Sequence, residues 1–551
     1  MPAPKTKPAS TQPELLHLDA KLGPMVNLFT LVAALWCLFL LAAWVPQYLT
    51  WPWYNDNDHF AMLAQLWDTG RLPYRDFFSM QFPGEIYLYY LLGKLFGWGN
   101  TVAYYAFDAA LVVAFGALLA AWSVKRFRTP LPGLIGFASF EYYYMAENFT
   151  VAGQRDWHAA FFAVAGLVLM EWRGGKWAKI LGALSYAVGL SFRPQMVLLA
   201  PAFLLAIDAD ARARNATLAE RARAIVAWFA LIGAFLALAF LPLLYNGILG
   251  DFIRSIRYLQ PGASGYSTLT GPIFLKRVYE LFLQTRFNAI PILIFLTLWR
   301  VPRLTRASAF IALAAVLGVL FYGPISPNQY SNHAIAPMAA LAFATAILAK
   351  IILDVAAEAP SAKLAALVLL LFLVAGKEPV FASLNGTFYS DKIVTHPDYV
   401  ETSKQRHDYG SLGAIPILKS GAMPEQDPPG RRPSNIYAWR DYRAAILYLR
   451  SLDPSLTLEN MIGDGDLAYN GVVPRLPALP ADIFSIQAFS HTEPPCAKAL
   501  ESLDKTLVLW SPRAPHEKHP LIAEVVARLY EQQAKFGEIE VWRKKLTAKP
   551  H

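Results

Sequence analysis

A chain of 551 residues that is 55% hydrophobic and only 16% charged, with mean hydropathy +0.33, is too apolar for a soluble enzyme of its length. Its formal net charge of +9 gathers in short loops between apolar runs, which speaks of membrane orientation and not of nucleic acid. No Walker loop, GxGxxG fingerprint, CxxC pair or metal-finger spacing occurs, which excludes ATPase, kinase and dinucleotide chemistry.

The first apolar run, 26–49, carries no charge from Met25 to Leu49 and is long enough to cross a bilayer. It lacks a small-residue cleavage site and reads as an anchor. Asn55-Asp56-Asn57-Asp58-His59 follows at once. Carboxylates where a chain leaves the bilayer are costly unless they bind a cation, pair with a base or perform chemistry; the plain alternative is a solvated loop. Phe60–Trp67 is helical in pattern, and Pro73, Pro83 and Gly84 then turn the chain along the membrane surface.

Further apolar runs fall at 101–121, 131–147, 157–172, 180–192, 196–207, 225–245, 287–299, 308–323, 334–353 and 364–376. Together they predict an α-helical polytopic membrane protein of about 11 spans, several of them short and therefore tilted or broken around a cavity. Lys125, Arg126 and Arg128, then Arg173, Lys176 and Lys179, then Arg212, Arg214, Arg221 and Arg223, then Arg300, Arg303 and Arg306 occupy alternate loops. Such loops face the cytoplasm, which leaves the acidic cluster outside.

In the second outer loop, Gly153-Gln154-Arg155-Asp156-Trp157-His158 runs straight into an apolar span. Asp156 and His158 there call for partners. Asp156 either caps the helix or stands beside Asp56 to orient a base or hold a divalent cation, with Mg²⁺, Mn²⁺ or Ca²⁺ suited to Asp56 and Asp156, and Zn²⁺ allowed by His158. Arg75, Arg155 and Arg193, with Arg254, Arg257, Lys276 and Arg277, run against the positive-inside trend. They call for an anion at the outer headgroup level, where Arg and Lys match phosphate geometry and charge; ordinary lipid headgroups are one such source for Arg254 and Arg257. Arg193 interrupts two half-spans in Ser191-Phe192-Arg193-Pro194.

From Lys377 onward the long apolar runs stop and Pro, Asp and Arg rise. Trp439–Leu452 and His519–Gln533 have helical spacing, and Thr506–Trp510 and Ile539–Arg543 read as strands. Residues 1–376 are therefore expected to form a membrane domain, and 377–551 a small C-terminal extracytoplasmic α/β domain. Cys37 lies in the first span and Cys496 in the tail, so no disulfide joins them.

The stretch from Asp56 through Gly70-Arg71-Leu72-Pro73-Tyr74-Arg75-Asp76 to Gln81-Phe82-Pro83-Gly84 resembles the first external loop of the GT-C superfamily of polyprenyl-phosphate-sugar-dependent glycosyltransferases, in the branch of protein O-mannosyltransferases and lipid A aminoarabinose transferases. Aligned on Pro73-Tyr74, the family's first acid falls on Asp56. Its second is replaced by Asn57, with Asp58 one position later. The resemblance implies a basic residue at Arg193 for the donor phosphate, and likens Tyr330 and His333 to the residues that open the family's late span.

It further implies an inverting transfer of sugar from a polyprenyl-phosphate donor to a lipid, glycan or protein acceptor on the outer face of a bacterial inner membrane. Asp56, Asp58 and Asp156 are the candidate catalytic acids, and Arg75, Arg155, Arg193, Tyr330 and His333 the candidate donor contacts. A transporter or flippase would instead place its charges near mid-span, and an O-antigen-ligase-like transferase would lack the early acidic motif.

Overall fold

The computed structural model describes residues 23–49, 56–145, 152–172, 175–259, 272, 275, 303–320, 335–358, 439–462, 476–481, 492–511 and 519–545. The proposed domain boundary at 377 and the runs 287–299 and 364–376 lie outside them.

Helix α1 (Gly23–Tyr48) is followed by two shorter helices, α2 (Asp56–Asp68) and α3 (Pro83–Phe96). The acidic cluster thus opens a helix. Next come α4 (Thr101–Phe127), α5 (Leu131–Tyr144), α6 (Arg155–Glu171) and α7 (Gly175–Phe192). A 3₁₀ turn (Pro194–Leu199) then leads into α8 (Ala200–Ala213), α9 (Leu218–Tyr245) and α10 (Leu249–Leu259). Helices α11 (Arg303–Leu320) and α12 (Ile335–Glu358) complete the described membrane part. Val26–Pro46, Thr101–Phe127, Leu218–Tyr245 and Pro337–Asp354 are long and apolar enough to cross a membrane.

The helices differ in what surrounds them. On α1 the side chains of Leu28, Leu31, Val32, Leu35 and Leu38 are exposed, and on α9 those of Val226, Leu238, Leu241 and Leu244, as lipid-facing surfaces are. Every residue of the Pro337–Asp354 stretch of α12 is buried, against α5, α6 and α11. At the far end of the bundle, the end away from Asp56, buried Glu171 accepts a hydrogen bond from Ser308 Oγ at 2.7 Å, and Arg126 lies 3.7 Å away.

The α/β domain is built on a four-stranded sheet of order β1-β2-β4-β3: β1 (Thr457–Asn460), β2 (Thr506–Trp510), β3 (Tyr530–Phe536) and β4 (Ile539–Lys544). Strands β1 and β2 pair in parallel, which needs a crossover; α14 (Glu493–Ser502) lies within it, after α13 (Trp439–Ser451). The remaining pairs are antiparallel. Alternation in β2 sends Leu507 and Leu509 to one face, with Ala445 and Leu449 of α13. Val508 faces Leu500 of α14 and Ile522, Val525 and Val526 of α15 (Pro520–Leu529).

The expected helix 519–533 ends early. Tyr530 is extended (φ −114°, ψ 157°), and 530–536 pair with β4. Glu531, Gln532 and Gln533 are exposed on this outer strand, so the sequence shows no strand alternation there, and sheet pairing overrides their helical preference. Cys37 and Cys496 are both buried and free.

Buried Glu459 on β1 accepts hydrogen bonds from the backbone N–H groups of Ala478 and Leu479. Burial lifts its carboxyl from the ordinary 4.5 to about 7, against the pull of those N–H groups and of Arg71. The folded protein therefore keeps a proton that the unfolded chain has released. This stability is full below the ordinary carboxylate range and is lost as pH rises through about 7. On the order of 2–3 kcal/mol should disappear between about pH 5 and pH 8. Hydrogen exchange of the 476–481 backbone should show that loss, and Glu459→Gln should abolish the slope; equal slopes in both proteins would disprove it.

Candidate active site

Three element ends meet at one end of the bundle. The first is the N-terminus of α2, where Asp56 is the first helical residue and its side chain is 29% exposed. The second is the N-terminus of α6. Gln154 occupies its N-cap in extended conformation without a side-chain cap bond, so Asp156 does not cap the helix. The third is the break after α7. Proline disfavours helical geometry in the residue before it; Arg193 is accordingly extended (φ −143°, ψ 113°), with Pro194 opening the 3₁₀ turn.

Two acid–base pairs join these ends. Arg155, buried at the start of α6, lies 3.5 Å from Asp56 Oδ2, stacks over the Phe60 ring at 4.9 Å and donates to Gln81 Oε1. A cation at a helix N-terminus opposes the helix dipole, and the Asp56 carboxylate offsets it. Asp156 is fully buried and accepts from Arg193 Nη2 at 2.9 Å. The anion expected beside Arg193 is thus already supplied by this chain. Asp56 is the accessible acid of the pair and Asp156 the enclosed one.

Beneath these pairs lies a buried network that the sequence reading did not anticipate. His158 Nδ1 sits 3.1 Å from both Glu85 oxygens, and its Nε2 3.0 Å from Asp108 Oδ1. Asp108 Oδ2 accepts from Tyr48 at 2.5 Å and from Tyr144 at 2.8 Å. Tyr104 donates to Gly153 O at 2.5 Å. Gly153 has φ +70°, and a Cβ there would lie 2.8 Å from the Tyr48 hydroxyl, so glycine alone fits. Gly84 likewise lets α3 approach the end of α7, since its Cβ would fall 2.6 Å from Ser191 Oγ. One signal was present in the sequence: Asp108 is a lone acid inside an apolar run, and intramembrane acids are functional or paired.

This network bears on the metal expectation for Asp56, Asp156 and His158. Both His158 ring nitrogens face carboxylates, leaving none directed to an ion with Asp56 or Asp156, and each of the two acids has its own arginine. Among the described residues no group of three or more His, Cys, Asp and Glu side chains stands ready to hold a metal.

The other candidates lie elsewhere. Arg75 bonds Asp251 at 3.0 Å and Gly247 O at 2.5 Å, tying its loop to the α9–α10 corner, and is 44% exposed. Asp58 falls in the first turn of α2, with its side chain outside the described residues; Tyr330 and His333 lie outside them altogether. Asn57, which stands where the resemblance expects a second acid, is buried.

The fold and this setting define a polytopic helical membrane protein with an α/β domain joined to it. No protein-family model and no curated protein matches the chain. Among solved structures, the crystal structure of ArnT from Cupriavidus metallidurans bound to undecaprenyl phosphate shares its fold, with TM-score 0.52 and 13% identity over 97% of this chain and 100% of that one. The apo state of the same ArnT aligns at TM-score 0.44, also at 13% identity, over 95% of this chain and 98% of that one.

Proposed function

We propose that this chain is an integral-membrane inverting glycosyltransferase that moves a sugar from a polyprenyl-phosphate donor to a lipid, glycan or protein acceptor. One observation carries the reading: an accessible carboxylate, Asp56, stands at a helix N-terminus beside the Arg155 guanidinium, with the Arg193–Asp156 pair on the adjoining residue of α6. The shared fold with an ArnT that binds undecaprenyl phosphate supports the donor class.

In this reaction Asp56 takes the proton of the acceptor hydroxyl as its oxygen bonds to the anomeric carbon. The bond from that carbon to the phosphate oxygen breaks, and its electron pair leaves with the polyprenyl phosphate. A single displacement inverts the anomeric centre. Arg155 and Arg193 stabilise the charge on the departing phosphate. The four groups assigned to the reaction, Asp56, Arg155, Asp156 and Arg193, gather at one end of the bundle, which favours transfer over transport.

Isolated membranes carrying the protein, supplied with a panel of polyprenyl-phosphate sugars, should transfer one of them with inversion. Release of the intact donor on the opposite face without bond cleavage would support a flippase instead. The reading also puts 377–551 on the outer face of a bacterial inner membrane. A reporter active only outside the cytoplasm, fused after Ser383, should be active; signal from a cytoplasmic reporter at that point would reverse the orientation.

A further inference from the structure

The loop between α2 and α3 connects the membrane part to the α/β domain, chiefly through the Arg71 side chain. The N–H of Arg71 donates to Leu66 O at 3.0 Å, closing the C-terminal end of α2 around Gly70, whose φ is +91°. Its guanidinium meanwhile reaches three consecutive carbonyls of the α/β domain: Pro477 at 2.5 Å, Leu479 at 3.0 Å and Ala478 at 3.3 Å. Glu459 grips the same short segment from inside the α/β domain, by the N–H groups of Ala478 and Leu479. A strip of backbone is thus held between a cation of one part and a carboxyl of the other. Phe78 N–H adds a bond to Pro480 O at 2.6 Å, and its ring packs with the core of the α/β domain.

The same loop leads back to the site. Tyr74 is held at φ +69°, a conformation costly for a residue with a Cβ. Its hydroxyl donates to Gln81 O at 2.8 Å, and the Gln81 side chain accepts from Arg155, the partner of Asp56. Asp56 is therefore tied to the α/β domain along two routes. One is α2 itself, a rod of 13 residues with Asp56 at one end and Arg71 just past the other. The other runs through Tyr74, Gln81 and Arg155.

We propose that Arg71 is a positioning residue: by fastening 477–479 to the end of α2 it makes the α/β domain set the place of Asp56. The proposal rests on the transferase reading for its effect on turnover, and on the geometry alone for its effect on α2.

The test uses the full-length protein with Arg71→Ala, Arg71→Lys and Glu459→Ala, and Arg528→Ala as a control in an exposed ion pair of the α/β domain. Hydrogen exchange is followed in 476–481 and in 56–68, alongside kcat and KM for the donor. Arg71→Ala should speed exchange about tenfold in both segments, and should lower kcat about tenfold with donor KM within about twofold. Lys should restore little, because one ammonium does not span three carbonyls. Glu459→Ala should reproduce both exchange changes without touching the α2 cap, and so decides the matter if Arg71→Ala does not fold.

Faster exchange in 476–481 with 56–68 unchanged would overturn the proposal, leaving Arg71 as an anchor of the α/β domain only. Unchanged kcat in Arg71→Ala would overturn it too. If wild type transfers no sugar, the transferase reading fails, while the exchange arms still decide whether the α/β domain holds α2.

Discussion

Asp56→Asn should lower sugar transfer by about 10²–10⁴-fold, the span that a positioned general base contributes. The substitution keeps the shape of the side chain, and Asp56 is partly exposed at a helix start, so expression and folding should hold. Donor binding should also persist, because Arg155 and Arg193 remain. Turnover in membranes and binding of a polyprenyl-phosphate sugar, measured on the same preparations, separate the two effects. Wild-type turnover in Asp56→Asn would remove Asp56 as the base; loss confined to Asp58→Asn would move the role two residues along.

Arg193→Ala acts on two quantities at once. It strips the guanidinium from fully buried Asp156, and breaking a buried pair from one side costs about 3–5 kcal/mol. Thermal unfolding in detergent should fall accordingly. Adding Asp156→Asn removes the stranded charge and should recover most of that stability. The double variant then isolates the donor: its affinity for the polyprenyl-phosphate sugar should stay weak, since the phosphate contact proposed for Arg193 is gone. Arg193→Lys should recover only part of the binding. A stable double variant that binds donor like wild type would make Arg193 a partner of Asp156 and nothing more.

Apolar periodicity was enough to locate helices such as α4, α6 and α9, because a membrane helix declares itself by composition over twenty residues or so. The break at Arg193 was legible for the same local reason, Pro194 after a polar residue. Strand β1 was not: four residues bearing buried Glu459 and Asn460 look polar, and their burial is explained only by the folded contacts, Glu459 with the N–H groups of Ala478 and Leu479 and Asn460 with that of Ile462. At the site, the residue types at 56, 155, 156 and 193 drew attention, but their pairing did not follow from them. Asp156 could as well have faced Asp56 as Arg193. Which acid meets which base is decided by how α2, α6 and α7 approach one another, information spread over the stretch from Asp56 to Arg193 and absent from any one part of it.

The complete enclosure of α12 has a consequence for how the molecule is made. This helix comes late in the chain, after α11, yet it fills the space between α5, α6 and α11. While the ribosome is still translating the residues before 335, α5 and α6 have no partner along that side, and lipid or an insertion factor must occupy it. The last of the described membrane helices in chain order is then the wedge that completes the middle of the bundle. The packing around Trp122, which touches Phe343 of α12 at 5.1 Å, forms only at that moment, after the Asp56, Arg155 and Arg193 segments have already been synthesised.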